Sequence, residues 1–343
     1  MKHAAMKHIV LAISLALGSG CAVAADLGAA AMTAGSQREV IEQAAEIIQA
    51  RYVDPAAGRK LAAEIRREAK AEAFKRDSEP AAFAQALTME LRKLSGDGHF
   101  RINYSADLVP PPDAQAADQY EEDDDSWAGP AVNYGFESVR RIDDNIGYLD
   151  LRVFAPTRTA ADMMQSAMTL LAQSKVLIID LRNNGGGESD MGLLLAAYLL
   201  DKSVEMSATY DRPSNRLTRA TTPGWVPGRR FGGTKPVFVL ISHKTFSAAE
   251  AFAYDLQAMK RVTVVGETSG GGAHPYERRR LTDHFLIKLP EMRSINPLTG
   301  TDWQGVGVKP DVPTPPDQAY DKALELAHAA LAKHAKPDEK PAR

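Results

Sequence analysis

Three short segments carry residue types that could perform nucleophilic chemistry. The first is Lys244-Thr245-Phe246-Ser247-Ala248-Ala249-Glu250, directly after the apolar run Val237–Ser242. That run reads as a buried strand and the residues after Ser247 read as a helix, so Ser247 falls at a strand-to-helix junction. There its Oγ would project beyond the sheet, and the helix N-terminus would supply amide donors for a developing oxyanion. Ser247-x-x-Glu250 is also the spacing of a capping box, so by itself it equally fits a serine that only caps. The second segment is Asp180-Leu181-Arg182-Asn183-Asn184-Gly185-Gly186-Gly187, after the strand-like run from Val176. Glycines leave backbone N–H groups unobstructed, and such a turn can hold a phosphate or an oxyanion. The Gly-Lys-Ser/Thr of a phosphate loop and the glycine spacing of a dinucleotide site are absent, which weakens a nucleotide reading.

The third segment is Asp97-Gly98-His99, an imidazole in a glycine-flanked turn ahead of the alternating run Phe100–Tyr104. His99 is the base candidate, because an imidazole can take and return a proton near neutral pH. His243, His274 and His284 compete with it. His274, in Gly270-Gly271-Gly272-Ala273-His274, is the strongest competitor.

Elements of two kinds would position these loops. Residues 36–94 read as helices, with Ser36 and Glu39 as a capping box, Pro55 or Gly58 as a break, and Ser78 as the cap of a third helix bearing Phe83, Leu87, Leu91 and Leu94. From about residue 132, strand-like runs (Ile146–Phe154, Val176–Leu181, Val237–Ser242, Val262–Gly266) alternate with helical stretches (Thr159–Gln173, Met191–Leu200, Ser247–Met259). That alternation predicts an α/β layer of largely parallel strands, with each candidate loop at a strand's C-terminal end. A last helix is expected over Gln318–Lys333. The expected organisation is a signal peptide over 1–25, a helical subdomain over 33–96, a His-bearing turn, strand and acidic loop over 97–131, a core over 132–335, and a frayed tail over 336–343.

Composition narrows the function classes. Of 343 residues, 44% are hydrophobic and 25% charged, ordinary for a globular protein. Lys and Arg number 41 against 44 Asp and Glu, so nothing electrostatic points to nucleic acid. Lys2, His3, Lys7 and His8 precede the apolar run Ile9–Leu17, which is too short to span a membrane and is followed by small residues through Ala25. This is the pattern of a secretory signal, cleaved near Ala24 or Ala25, and implies a periplasmic or secreted protein. Gly18-Ser19-Gly20-Cys21 is an imperfect lipobox, so an outer-membrane lipid anchor through Cys21 is the alternative. As the only cysteine, Cys21 leaves the mature chain without a thiol nucleophile, a disulfide or a cysteine-based metal site. No cofactor and no metal are expected.

Together, Leu177–Gly187, Ser247–Glu250, Val265-Gly266-Glu267-Thr268 and Gly305-Val306-Gly307-Val308-Lys309-Pro310-Asp311 resemble the tail-specific, or C-terminal-processing, serine peptidase family. The branch containing interphotoreceptor retinoid-binding protein and the tricorn protease core is the more similar one. The resemblance implies a crotonase-like β-β-α spiral domain preceded by a small helical subdomain, acting on a peptide or protein substrate. It assigns Ser247 as nucleophile, and Gly186 with the Ala248 amide as the oxyanion hole. The processing branch places a lysine base 25 residues after the serine; that position is Gly272, so a Ser–Lys pair is excluded. The other branch draws a histidine from the N-terminal side, which matches His99. Its orienting acid falls at Gln304, an amide, leaving Gln304 itself or a different acid such as Glu250 or Asp302 to orient the base. Loss of the lysine and the acid favours the alternative, a catalytically weak or inactive binding protein of the same fold for an apolar ligand or peptide.

Overall fold

The computed structural model describes residues 31–71, 73–74, 77–111 and 125–335. The expected signal peptide with Cys21, most of the acidic stretch before Asp125 and the tail 336–343 lie outside them. Three helices come first, α1 (Ala34–Arg51), α2 (Pro55–Lys70) and α3 (Pro80–Ser95). Thr33, and not Ser36, caps α1. Its hydroxyl accepts from the Ser36 N–H, and the Ser36 hydroxyl accepts from the Thr33 N–H. Ser36 is therefore the fourth residue of the capping box rather than its first. Glu79 replaces the expected Ser78 at α3, accepting the N–H groups of Ala81 and Ala82. A carboxylate caps there as a hydroxyl would, with the helix dipole in its favour.

Strands β1 (Arg101–Tyr104), β2 (Phe136–Ile142) and β3 (Ile146–Leu151) lead into α4 (Thr157–Leu171), and β4 (Val176–Asp180) into α5 (Ser189–Leu199). After β5 (Ala208–Asp211) and β6 (Arg216–Thr218), β7 (Val237–Ile241) feeds α6 (Ala248–Ala258). The chain ends with β8 (Thr263–Gly266), β9 (Tyr276–Arg280), β10 (Phe285–Pro290), β11 (Met292–Ile295), β12 (Val312–Pro313) and α7 (Ala319–Ala335).

The result is a mixed α/β fold. Six strands form the main sheet in the order β12-β8-β7-β4-β3-β2, parallel except where β2 pairs antiparallel with β3. Every residue of β4 and β7 is buried. Alternate side chains feed two cores, because successive residues of a strand point to opposite faces. Leu177 and Ile179 meet Met164, Leu195 and Phe252 of α4, α5 and α6, whereas Val176 and Ile178 meet Ala319, Ala323 and Ala327 of α7. A continuous apolar run, rather than an alternating one, is what burial on both faces requires.

A second unit takes its parts from distant sequence. β1, β10 and β9 form an antiparallel sheet, and its apolar face packs Phe285, Ile287 and Leu289 against Phe83, Leu87 and Leu91 of α3. Arg51 of α1 and Arg279 of β9 both clasp Glu291 at 2.7–2.9 Å, and that carboxylate is almost wholly buried. Through this docking, the turn after α3 is brought against the loop between β8 and β9.

Candidate active site

Two loops leave the C-terminal ends of neighbouring strands β4 and β7 and bond to each other. Thr245 Oγ1 donates to the Leu181 carbonyl at 2.7 Å, Ser242 Oγ to that of Arg182 at 2.6 Å, and the Phe246 N–H to that of Asn184 at 3.1 Å. Asp180 and Arg182 of the glycine segment serve structure. They pair with each other, while Tyr148 Oη donates to Asp180 and Arg182 reaches the Pro316 carbonyl. Ser247 sits at the N-cap of α6 with φ 54° and ψ −122°. A non-glycine residue in that conformation costs of order 1–3 kcal/mol and persists only where its surroundings impose it. An ordinary capping serine would be extended.

The next amide, Ala248 N–H, has no acceptor among the described residues. Gly186 lies against this corner at φ 101°, and a side chain there would meet the Phe246 carbonyl and Ser247 Cβ at 2.8 Å. Its N–H, however, donates to Asn184 Oδ1 at 2.8 Å, and Asn184 is fixed in turn by its Nδ2 on the Leu151 carbonyl. The family resemblance pairs Gly186 with Ala248 as donors. Here Ala248 is vacant and Gly186 is engaged.

His99 is brought to the same region but makes no hydrogen bond to Ser247 Oγ. Its ring lies against that of Phe246, tilted by 39° with centroids 4.7 Å apart, and both ring nitrogens are buried without a hydrogen-bond partner. Glycine makes this approach possible, since a side chain at Gly272 would strike the Phe246 ring at 2.2 Å and His99 Cε1 at 2.8 Å. The nearest carboxylate is Asp97, with Oδ1 3.5 Å from His99 Nδ1. Asp97 Oδ1 also accepts the His99 backbone N–H, and Oδ2 accepts Tyr52 Oη at 3.2 Å and meets His274 Nδ1 at 2.7 Å. Burial pushes the Asp97 carboxyl up, but the His274 hydrogen bond and the nearby His99 imidazole outweigh it and hold the group well below the ordinary carboxylate range. Burial, with Asp97 beside it, pushes the Tyr52 phenol up.

Neither Glu250 nor Gln304 bonds to an imidazole, which corrects the expectation that one of them orients the base. Glu250 is wholly buried and tethers a loop. Its Oε1 accepts Ser269 Oγ at 2.5 Å and the Gly271 N–H at 2.7 Å, and its Oε2 accepts the Ser247 and Gly272 N–H groups, each at 2.8 Å. Burial pushes its carboxyl up against these bonds. Gln304 Oε1 accepts the Ala273 N–H at 2.8 Å. The Gly305–Asp311 motif is structural as well: Gly305 donates to the Gly271 carbonyl, Val308 to Ser269 Oγ, and Asp311 accepts Val264 N–H. Of the other histidines, His243 pairs with Glu267 on the surface and His284 meets the Ser105 carbonyl.

The residue missed by the sequence reading is therefore Asp97. Its signal lay in Asp-x-His, since an aspartate two residues ahead can accept the later backbone N–H and so stand beside that side chain. No group of three or more metal-ligating side chains occurs among the described residues. The Glu250 tether gives a direct expectation. Whichever way its amide turns, Glu250→Gln sets an NH2 group against at least one N–H donor, so we expect a stability loss of at least about 1–3 kcal/mol in urea or thermal unfolding.

A serine at a strained strand-to-helix corner of a parallel sheet, beside a vacant helix-terminal amide, is a place from which a hydrolase could present a nucleophile. Comparison narrows the class. Residues 145–314 match Peptidase family S41, and the chain belongs to this family, that of the C-terminal processing proteases. It is 30% identical over 182 residues to the chloroplastic C-terminal processing peptidase of Tetradesmus obliquus, covering 50% of this chain and 36% of that protein. The chain thus spans little more than a third of the length of such curated relatives. Among solved structures, a lipoprotein from Streptococcus agalactiae superposes with a TM-score of 0.58 at 16% identity, over 86% of this chain and 96% of that one. The tricorn protease gives 0.51 at 14% identity, over 88% and 37%. These structural likenesses bear on the fold.

Proposed function

We propose that the protein is an exported serine endopeptidase-like hydrolase acting on peptides or proteins, with Ser247 as nucleophile and His99 as base. The observation that carries this reading is the Ser247 backbone, held at positive φ beside the vacant Ala248 N–H. In the proposed reaction, Ser247 Oγ bonds to the scissile carbonyl carbon as its proton passes to His99 Nε2. The oxyanion is held by Ala248 N–H, joined by Gly186 N–H once that amide turns from Asn184. Collapse breaks the C–N bond, and the imidazolium returns the proton to the departing amine. Water, deprotonated by the same imidazole, then cleaves the acyl ester.

His99 must turn from its contact with Phe246 to meet Ser247, and Asp97, close behind Nδ1, is the carboxylate that would orient it and support its charge. Peptidase relatives and the signal-like leader support an exported enzyme acting on protein, and the crotonase-type spiral is the arrangement this reading assigns to the core. The unmade Ser247–His99 bond favours a second reading, a binding protein for an apolar ligand or peptide. A fluorophosphonate and an unfolded protein substrate separate the two. The enzyme reading requires an adduct mapped to Ser247 and fragments that disappear in His99→Ala. Absence of both from the folded wild-type protein overturns it and leaves the binder.

A further inference from the structure

We propose that His274 is a positioning residue for the Ser247 site, anchoring Asp97 so that this carboxylate stays turned toward His99. The inference rests on the function proposed above and adds a residue to it. Asp97 has no exposed surface, so both its oxygens must be satisfied from within the protein. Oδ1 is engaged by the backbone N–H of His99 at 3.0 Å. Oδ2 has two partners, His274 Nδ1 at 2.7 Å and Tyr52 Oη at 3.2 Å. With Oδ2 anchored, rotation of the carboxylate is blocked and Oδ1 remains on the side of the His99 ring. From there a modest turn of the imidazole closes the present 3.5 Å to a hydrogen bond. Without His274, only the longer phenol bond would hold Oδ2, and the carboxylate could turn about its remaining bond from the His99 backbone N–H.

The anchor is itself rigidly held, by groups that also hold the nucleophile. Just ahead of His274, Gly272 N–H is bound by Glu250 Oε2, Ala273 N–H by Gln304 Oε1, and the Gly272 carbonyl by Trp303 Nε1 at 2.8 Å. Just after it, Met292 N–H donates to the Pro275 carbonyl. Glu250 Oε2 also receives the Ser247 N–H. One oxygen atom therefore sets the position of the nucleophile's backbone relative to the segment that carries His274. This assigns the Gly-rich loop a purpose: it registers Asp97, and through it His99, against Ser247.

The test compares His274→Ala with His274→Asn, whose side-chain N–H can reproduce the Nδ1–H donor but cannot carry a proton away. Misplacing a reacting group by about 1 Å costs about 10²-fold. His274→Ala is accordingly expected to slow both fluorophosphonate labelling of Ser247 and kcat for a peptide by about that factor, with KM unchanged. His274→Asn is expected to recover to within about tenfold of wild type, with both variants melting cooperatively. Labelling of His274→Ala at the wild-type rate overturns the proposal. So does His274→Asn behaving as poorly as His274→Ala while still folded, because His274 would then act as a base in its own right. A proton spectrum keeps this result separate from the fate of the enzyme reading. An Nδ1–H shared with a buried carboxylate gives a slowly exchanging, far-downfield resonance, expected in wild type and Ser247→Ala and lost in His274→Ala. If it is missing from wild type, the anchor is refuted whatever the enzyme does. If it is present while Ser247 is never labelled, the anchor stands and the peptidase reading falls.

Discussion

Ser247→Ala is expected to lower kcat by about 10⁶-fold while leaving the melting temperature almost unmoved. In a well-studied serine protease, loss of the nucleophile alone costs about 2 × 10⁶ in kcat, nearly as much as loss of the whole catalytic group. Surface-accessible single substitutions that create no cavity usually change stability by about 0.5 kcal/mol or less. Ser247 is only partly buried, its backbone N–H bond to Glu250 survives the change, and alanine tolerates the positive φ no worse than serine does. Single-turnover cleavage of a peptide, with a thermal melt beside it, separates lost chemistry from lost structure. Retention of more than a few per cent of the rate would mean that the hydroxyl doing the work lies elsewhere.

The second large effect is at Asp97. Converting the orienting aspartate of a serine protease to its amide drops kcat by about 10⁴, because an amide can fix an imidazole but cannot support its positive charge. Asp97→Asn should fall by a comparable factor, with KM little changed, and should add a structural cost from an NH2 group facing His274 Nδ1 and Tyr52 Oη. The pH dependence has a definite sign. The folded Asp97 carboxyl is held below its unfolded value of about 3.9, so its contribution to stability is complete above that pH and is lost as pH falls through the lower, folded value. Wild type should therefore lose this part of its stability only under acid conditions below about pH 4. Asp97→Asn should lack that component of the acid unfolding profile.

Much of the main sheet was legible because its signal is local. Val176–Ile179 and Val237–Ile241 are unbroken apolar runs, and the observed strands, Val176–Asp180 and Val237–Ile241, each end one residue before the expected ones. The helix caps were harder. Thr33 and Glu79 stand beside plausible serines, and only the backbone path decides which side chain meets the free N–H groups. β9, with its sequence Tyr-Glu-Arg-Arg-Arg, carries no periodic apolar signal. Its strand character comes from pairing with β10 and from the Glu291 clasp, both set by residues it meets only after folding.

The site divides in the same way. Ser247, the glycine turn and the Asp-Gly-His turn could be picked out because each is a short pattern at an element's end. The tasks of Glu250 and Gln304 could not. Both act on the Ser269–Ala273 loop, whose arrival depends on the long connection through β8 and on the Trp303–Val308 turn. Asp97 and His274 are 177 residues apart in sequence, and their meeting depends on β9 and β10 packing beneath the N-terminal helices.

The double use of Glu250 Oε2 limits how such a chain can vary in length. An extra residue between Glu250 and Gly272 would have to bulge wholly within the stretch ahead of Ser269, or it would drag the nucleophile's amide with it. Insertions should be tolerated instead at the exposed Pro223–Trp225, between buried Thr222 and Val226, within the segment that joins β6 to β7. That segment leaves the small β5–β6 hairpin and returns to β7 without touching the tether. Loop grafting in this scaffold therefore has a permissive half and a forbidden half, divided by a single carboxylate.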